Sequence, residues 1–294
     1  MKRNETPLGK LKLYLAFAGP TTLIFSLVVI VPIFYGIYLT FTNWDGIAKG
    51  KSLVGIDNYI AVFHDTAFWS SLGLTVAYVA LAVVFINLLA FLLASVLTSN
   101  LRGQNFLRAG FFTPNLIGGV ILGFIWQFVF SRVTVQMYQW IPLSVLEKSW
   151  LSSPHTAFAA LVIVTVWQYG GYMLLIYIAG FVSIPHDLVE AARIDGATEW
   201  QVTRYIRLPL MTSSFVVCLF LSITRCFKVY DLNLSLTGGG PYNSTKLVAM
   251  YIYTKAFEEH AYGIGQAEAI ILFVIMAIIA LTQVYIGKKA EVEA

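Results

Sequence analysis

From Leu13 to Trp44 the chain carries no charged side chain. Thr66–Leu101 and Ala109–Ser131 are also uncharged, and Ser149–Pro185 holds only His155 as an ionisable group. Leu208–Thr224 is uncharged, with a pattern that continues towards Leu236, and Ala269–Gly287 closes the set. A helix crosses a hydrocarbon core with roughly 20 apolar residues. Hydrocarbon gives the backbone no water to bond, so segments of this kind satisfy themselves as helices. The six runs predict an all-α membrane protein with six transmembrane helices, at about 13–42, 70–99, 109–131, 154–183, 209–234 and 266–287.

Composition agrees. Only 12% of the residues are charged and 58% are hydrophobic, where a soluble domain carries about 25% charged residues. No polar loop is long enough to bury a core of its own, so residues 1–294 are expected to form a single membrane domain. The basic residues are scattered and the formal charge is only +4, which points to lipid and not nucleic acid as the surroundings. Cys218 and Cys226 lie eight residues apart in one apolar run. That is about 12 Å of helical rise, too far for a disulfide. The basic N-terminus leads into an apolar run too long for a signal-peptide core, so it is expected to be retained.

An even number of spans puts both termini on one side. With the termini inside, the inner segments carry Lys2, Arg3, Lys10, Lys12, Arg102, Arg108, Arg193, Arg204, Arg207, Lys288 and Lys289, against Lys49, Lys51, Arg132, Lys148, Lys246 and Lys255 outside. The excess of inner Lys and Arg predicts cytoplasmic termini and a cytoplasmic 184–208 loop. Trp44, Trp69, Trp140 and Trp150 fall near span edges, as interface anchors do.

That loop, "HDLVEAARIDGATEWQVTRYIRLPL", is the longest polar interruption in the second half of the chain. Pro185 suits the first turn of a helix, and Asp187 and Glu190 sit where carboxylates favour the positive end of the dipole. Leu188, Ala191, Ala192 and Asp195 share a face by i, i+3, i+4 spacing. Gly196 falls where a helix-terminating residue adopts φ > 0. Thr198 with Gln201 makes a capping box for a second helix, and Pro209 is expected to open the next span. The pattern is helix, glycine turn, helix. An interfacial helix lying on headgroups would carry Lys/Arg on one face and bulky apolar residues on the other. This one carries alanines and carboxylates, which fits docking into a groove of another protein.

The segment "EAARIDGATEWQVTRYIRLP" resembles the EAA loop of permease subunits of binding-protein-dependent ABC importers. Glu190, Ala191, Ala192, Asp195, Gly196, Ala197, Ile206, Leu208 and Pro209 match the family pattern. Thr203 and Thr212 depart from it. "VGIDNYIAVF", "WQYGGYMLLIYIAGFVSIPHDL" and "FKVYDLNLSLTGGGPYNSTKLVAMYIYTKAF" are similar to other blocks of the carbohydrate and glycerol-phosphate branch, the maltose-type permeases. The resemblance implies a type I ABC importer permease fold with a cytoplasmic coupling helix. It implies docking to ATPase subunits through Glu190, Ala191, Ala192, Arg193, Asp195 and Gly196. It further implies a second homologous permease subunit in a heterodimer, two ATPase subunits that bind ATP and Mg, and an extracytoplasmic solute-binding protein. The expected location is the bacterial cytoplasmic (inner) membrane, and the expected cargo is a sugar, oligosaccharide or related carbohydrate. Glycerol phosphate or another small solute is the alternative cargo.

The chain itself has no G-x-x-x-x-G-K-[ST] phosphate loop and no His/Cys/carboxylate group at metal-ligand spacing. It is expected to be a transport subunit, not an enzyme, with no cofactor of its own. A stand-alone secondary transporter would show repeated halves with matching broken helices, and no repeat is visible. Polar groups at membrane depth are candidates for the substrate path. They are Asn87, Asn115, Trp126, Gln127, Trp167, Gln168, Tyr169, Tyr172, Arg225, Lys228, Asp231 and Glu268. Arg225, Lys228 and Asp231 would share one face of a continuous fifth helix at i, i+3, i+6, with snorkelling to the outer headgroups as the other reading of Arg225.

Overall fold

The computed structural model describes residues 13–48, 50–99 and 102–289. Lys2, Arg3, Lys10, Lys12 and Lys49, used above to orient the chain, lie outside the described residues. The described residues form helices joined by loops, with a lone bridge between Thr42 and Leu53 as the nearest thing to a strand. Five helices are long and apolar enough to span a membrane: α1 (Gly19–Leu39), α3 (Thr66–Leu97), α5 (Gly119–Met137), α6 (Pro154–Val182) and α12 (Tyr262–Lys289). Counted together as one span, the bent pair α8 (Glu199–Leu210) and α9 (Thr212–Phe227), which meet at 68°, makes a sixth. The shorter helices are α2 (Asp57–His64), α4 (Gln104–Phe112), α7 (His186–Ile194), α10 (Asp231–Leu236) and α11 (Val248–Tyr253).

The chain divides into two compact units. One comprises Met1–Asp65 and Ile252–Ile271. Its centre is Asn58, buried on α2, whose Nδ2 donates to the carbonyls of Thr40 and Thr42 at 2.8 Å each. These bonds hold the chain leaving α1 against α2. The start of α12 joins them through the Gly263 N–H, which donates to the Trp44 carbonyl at 3.0 Å, and through Tyr262, edge-on to Trp44.

The other unit, Thr66–Tyr251 with Leu272–Ala294, is built on α3 against α6. Their shared face buries Tyr78, Ala82, Ile86, Ala90, Leu161, Leu174 and Tyr177. The Tyr78 and Thr165 hydroxyls bond across it at 2.5 Å. Nearer the 184–208 loop, Tyr177 donates to Asn87 Oδ1 at 2.8 Å, and Asn87 Nδ2 donates to Ser222 Oγ on α9 at 3.0 Å. Below them Phe91 packs on Tyr177, Phe181 and Phe215. Alongside, α6 runs so near the end of α4 that a Cβ on Gly171 would lie 1.8 Å from the Phe111 carbonyl oxygen.

Three expected continuities are broken. The uncharged run at 109–131 is not one helix. The chain passes from α4 into a 3-10 turn, Thr113–Leu116, then through extended Gly118 into α5. Pro114 has no N–H to continue the ladder, and the two glycines 118 and 119 lower the cost of the break. Pro209 does not open a span either: it lies at the end of α8, and the bend falls at Met211. Finally, α9 stops at Phe227, and α10 begins only at Asp231. Arg225 and Asp231 are therefore on different helices, and the shared face expected for Arg225, Lys228 and Asp231 does not exist.

Candidate functional site

The 184–208 loop is a helix–turn–helix closed by local chemistry. At the end of α7, Gly196 has φ +82°. The Ala197 N–H donates to the Ala192 carbonyl at 2.9 Å, and the Gly196 N–H to the Arg193 carbonyl at 3.0 Å. This pair of bonds is the Schellman ending, which requires a left-handed residue at the position Gly196 holds. Thr198 then starts α8 with a complete capping box: its hydroxyl accepts from the Gln201 N–H, and the Gln201 side chain accepts from the Thr198 N–H. Pro185 caps α7 from just outside, and does not sit in its first turn.

Two valines anchor the loop, Val189 at 9% exposure and Val202 at 0%. Most of the rest points outward. Leu188, Glu190, Ala191, Ile194 and Asp195 are exposed, with Ile194 80% open. Ala192 is half-buried, facing a notch of about 340 Å³ lined also by Gly196, Gln201 and Tyr205. Arg193 is exposed too, but its guanidinium is engaged within the loop. Its Nε donates to Glu199 Oε1 at 2.8 Å, and Arg207 Nη1 reaches the other oxygen, Oε2, at 3.3 Å. Glu190 pairs weakly with His186 at 3.6 Å. Nothing in the spacing of Arg193, Glu199 and Arg207 announces this triad, because the two helices meet only once the glycine turn has folded.

The polar residues at membrane depth separate into distinct groups. Arg225, Tyr169, Tyr172 and Asn115 form one half-buried cluster. Arg225 Nη1 donates to Asn115 Oδ1 at 2.7 Å, and its guanidinium carbon lies 4.4 Å from the Tyr172 ring centre and 5.2 Å from that of Tyr169. No carboxylate lies within 4.0 Å of Arg225 among the described residues. Beside it Gln168, Tyr169, Lys228 and Asp231 line a small polar cavity of about 170 Å³. Gln168 Nε2 also bonds the Ile117 carbonyl at 3.2 Å.

Other candidates face elsewhere. Trp167 belongs to an apolar groove between α3 and α6 with Leu88, Val162 and Ile163, one helical residue being about 100° of rotation away from Gln168. Trp126 packs edge-on against Trp167, and Gln127 is half-buried beside it. Asn87 is buried with its amide committed to Tyr177 and Ser222, so in this structure it fastens helices and lines no path. Glu268 is fully buried, and neither carboxylate oxygen has a hydrogen-bond partner among the described residues. It too lies off any open surface. Near it Lys255 pairs with Glu259 at 2.9 Å and Asp65 at 3.7 Å. Burial opposes the Lys255 charge, but the Glu259 hydrogen bond and the two carboxylates outweigh it and hold the ammonium above the ordinary lysine value.

The sequence pattern of the family described as "Binding-protein-dependent transport system inner membrane component" matches residues 86–292. The chain is 42% identical over 280 residues, covering 95% of each chain, to the probable starch degradation products transport system permease protein AmyD of Thermoanaerobacterium thermosulfurigenes. It is 32% identical over 261 residues, 89% of this chain and 90% of the other, to the multiple sugar-binding transport system permease protein MsmF of Streptococcus mutans. Its fold is similar to a chain of a bacterial alginate ABC transporter crystallised with an alginate pentasaccharide-bound periplasmic protein. There the TM-score is 0.81 at 22% identity, covering 95% of this chain and 96% of that one.

Proposed function

This chain belongs to the family of binding-protein-dependent transport system inner membrane components, and on that footing we propose that it forms half of the translocation path of an ATP-driven importer of starch-derived oligosaccharides. It is the membrane-embedded transport component and not the ATP-hydrolysing one. The observation that carries the coupling role is the loop: a short helix with Leu188, Ala191, Ile194 and Asp195 exposed, held at a fixed angle by a left-handed glycine. Small alanines let such a helix enter a cleft, and Glu190 and Asp195 supply charged contacts at its rim. The cleft belongs to one of two cytoplasmic ATPase subunits, which bind ATP and Mg. The other half of the path is a second permease subunit, and an extracytoplasmic binding protein delivers the cargo. Both termini are cytoplasmic and the membrane is the bacterial inner membrane.

On the cargo side, the Tyr169 and Tyr172 rings suit the C–H faces of a sugar, and Arg225, Asn115 and Gln168 suit its hydroxyls. The relatives named for starch products and multiple sugars support a neutral oligosaccharide. Arg225 favours a second reading, because a guanidinium with no carboxylate within 4.0 Å among the described residues also suits an anionic solute such as glycerol phosphate. Proteoliposomes holding this chain with its partner permease and ATPase, supplied with the binding protein and labelled maltotriose, test both. Accumulation should require ATP inside and the binding protein outside. Uptake by this chain alone would make it a secondary transporter, and competition by glycerol phosphate but not by maltotetraose would favour the anionic cargo.

A further inference from the structure

We infer that Glu199 is a positioning residue: its carboxylate, shared between Arg193 and Arg207, locks α7 to α8 so that a displacement of α7 is passed to α9. The inference rests on the coupling role proposed above for α7.

The geometry divides the labour. The Schellman bonds fix how α7 ends, and the capping box fixes how α8 begins. Neither ties the two helices together beyond the turn itself, because Asp195–Thr198 is short, exposed apart from Ala197, and has nothing packed within 4 Å of where a Gly196 Cβ would be. The triad adds that tie. Arg193, in the last turn of α7, puts both Nε and Nη2 on Glu199 Oε1, at 2.8 and 2.5 Å. Glu199, in the first turn of α8, gives its other oxygen to Arg207, two turns further along the same helix. Arg207 stands four residues before the bend at Met211, where α9 starts. One carboxylate thus links the end of α7, the start of α8 and the root of a membrane span. The carboxylate accepts from Arg193 and is ion-paired with Arg207, so its first partners lie within the loop.

The triad also forms one wall of a polar cavity of about 570 Å³ lined by Ser95, Thr98 and His186. Glu199 is 61% exposed and Arg193 49%, so salt reaches the pairs and screens them. Exposed pairs of this kind are individually weak, and two sharing one carboxylate support an effect of about three- to tenfold.

The test uses the assembled importer purified through a tag on this chain, with labelled maltotriose as cargo. Glu199→Gln keeps the shape and removes the charge. It should retain the ATPase subunits and hydrolyse ATP within about twofold of wild type, while maltotriose moved per ATP falls about three- to tenfold. Raising NaCl from 0.05 to 0.5 M should lower that ratio in wild type and leave Glu199→Gln unchanged. Arg193→Gln combined with Glu199→Gln should be no worse than Glu199→Gln alone, since that variant already breaks the Arg193 pair, and Arg193→Gln, which spares the Arg207 pair, should be the milder. Loss of the ATPase from Glu199→Gln would make Glu199 a docking contact and overturn the inference, as would an unaltered transport ratio or strictly additive single effects. Should the wild-type chain bring down no ATP-hydrolysing chain at all, the coupling role itself falls and this inference falls with it.

Discussion

Valine at position 196 should uncouple the importer while leaving its spans intact. Gly196 sits at φ +82°, and nothing lies within 4 Å of a Cβ built on it. A Cβ there has open space around it, so the expected effect is chiefly backbone strain. An L-residue pays about 1–2 kcal/mol for the left-handed region, and a β-branched one belongs at the upper end of the range of about 1–3 kcal/mol for strained residues. At about 2 kcal/mol, any competing loop conformation gains about thirtyfold in population. The turn that relaxes gives up the two Schellman bonds at Ala192 and Arg193 and swings α7 off its docking angle. Asparagine tolerates the left-handed region, so the expected order of uptake is Gly196→Asn above Gly196→Ala above Gly196→Val. Membrane level, co-purification of the ATPase and maltotriose uptake, measured on all three variants, separate folding from coupling. Normal uptake by Gly196→Val would refute the reasoning. So would an asparagine variant as impaired as valine, since the cause would then be a side chain and not φ.

Gly171→Ala should lower the melting temperature and the yield in detergent, because its Cβ would meet the Phe111 carbonyl at 1.8 Å; overpacking of this kind costs about 1–3 kcal/mol. Asn87→Leu leaves the buried Tyr177 hydroxyl without its acceptor and should cost about 1–3 kcal/mol, whereas Tyr177→Phe should cost less; thermal unfolding of the purified complex compares them. Single cysteines at Asp57 and Asn243 should react with an impermeant maleimide in intact cells, and one at Lys289 only after permeabilisation. Cys218 and Cys226 are buried, so background labelling should be low, and labelling of position 289 in intact cells would invert the topology.

Much of this molecule was legible because its signals are local. Uncharged runs of span length specify an all-α membrane protein. Gly196, Thr198 and Gln201 specify the loop turn by chemistry that acts over three or four residues. What escaped is continuity and direction. Absence of charge reports that a segment can lie in hydrocarbon, not that its helix is unbroken, so the breaks at Thr113–Gly118 and Lys228–Tyr230 were invisible to it. Pro114 and the paired glycines 118 and 119 were a usable signal for the first. The bend at Met211 has none. Likewise, a polar residue at depth shows that it needs a partner, not where the partner is. Asn87 found Tyr177 and Ser222 inside the bundle and Trp167 turned to an apolar groove, while Arg225 with its tyrosines and Asn115 stayed half-open beside the cavity of Lys228 and Asp231. The Glu199 triad needed a folded turn before its charges could meet.

The 68° bend at Met211 gives the loop a mechanical advantage. Met211 is fully buried, under Gly180 of α6, and so serves as a fulcrum rather than a hinge free to slide. On one side the arm from Glu199 to the bend is about 18 Å long, and on the other α9 extends about 24 Å. A push of about 3 Å at the outer end of the short arm is a rotation of about 10°. Carried rigidly through the fulcrum, that rotation sweeps the far end of α9, where Arg225 stands, by about 4 Å. On the coupling role proposed above, a modest push on the loop would therefore shift Arg225 by a distance comparable to a hydrogen-bond length.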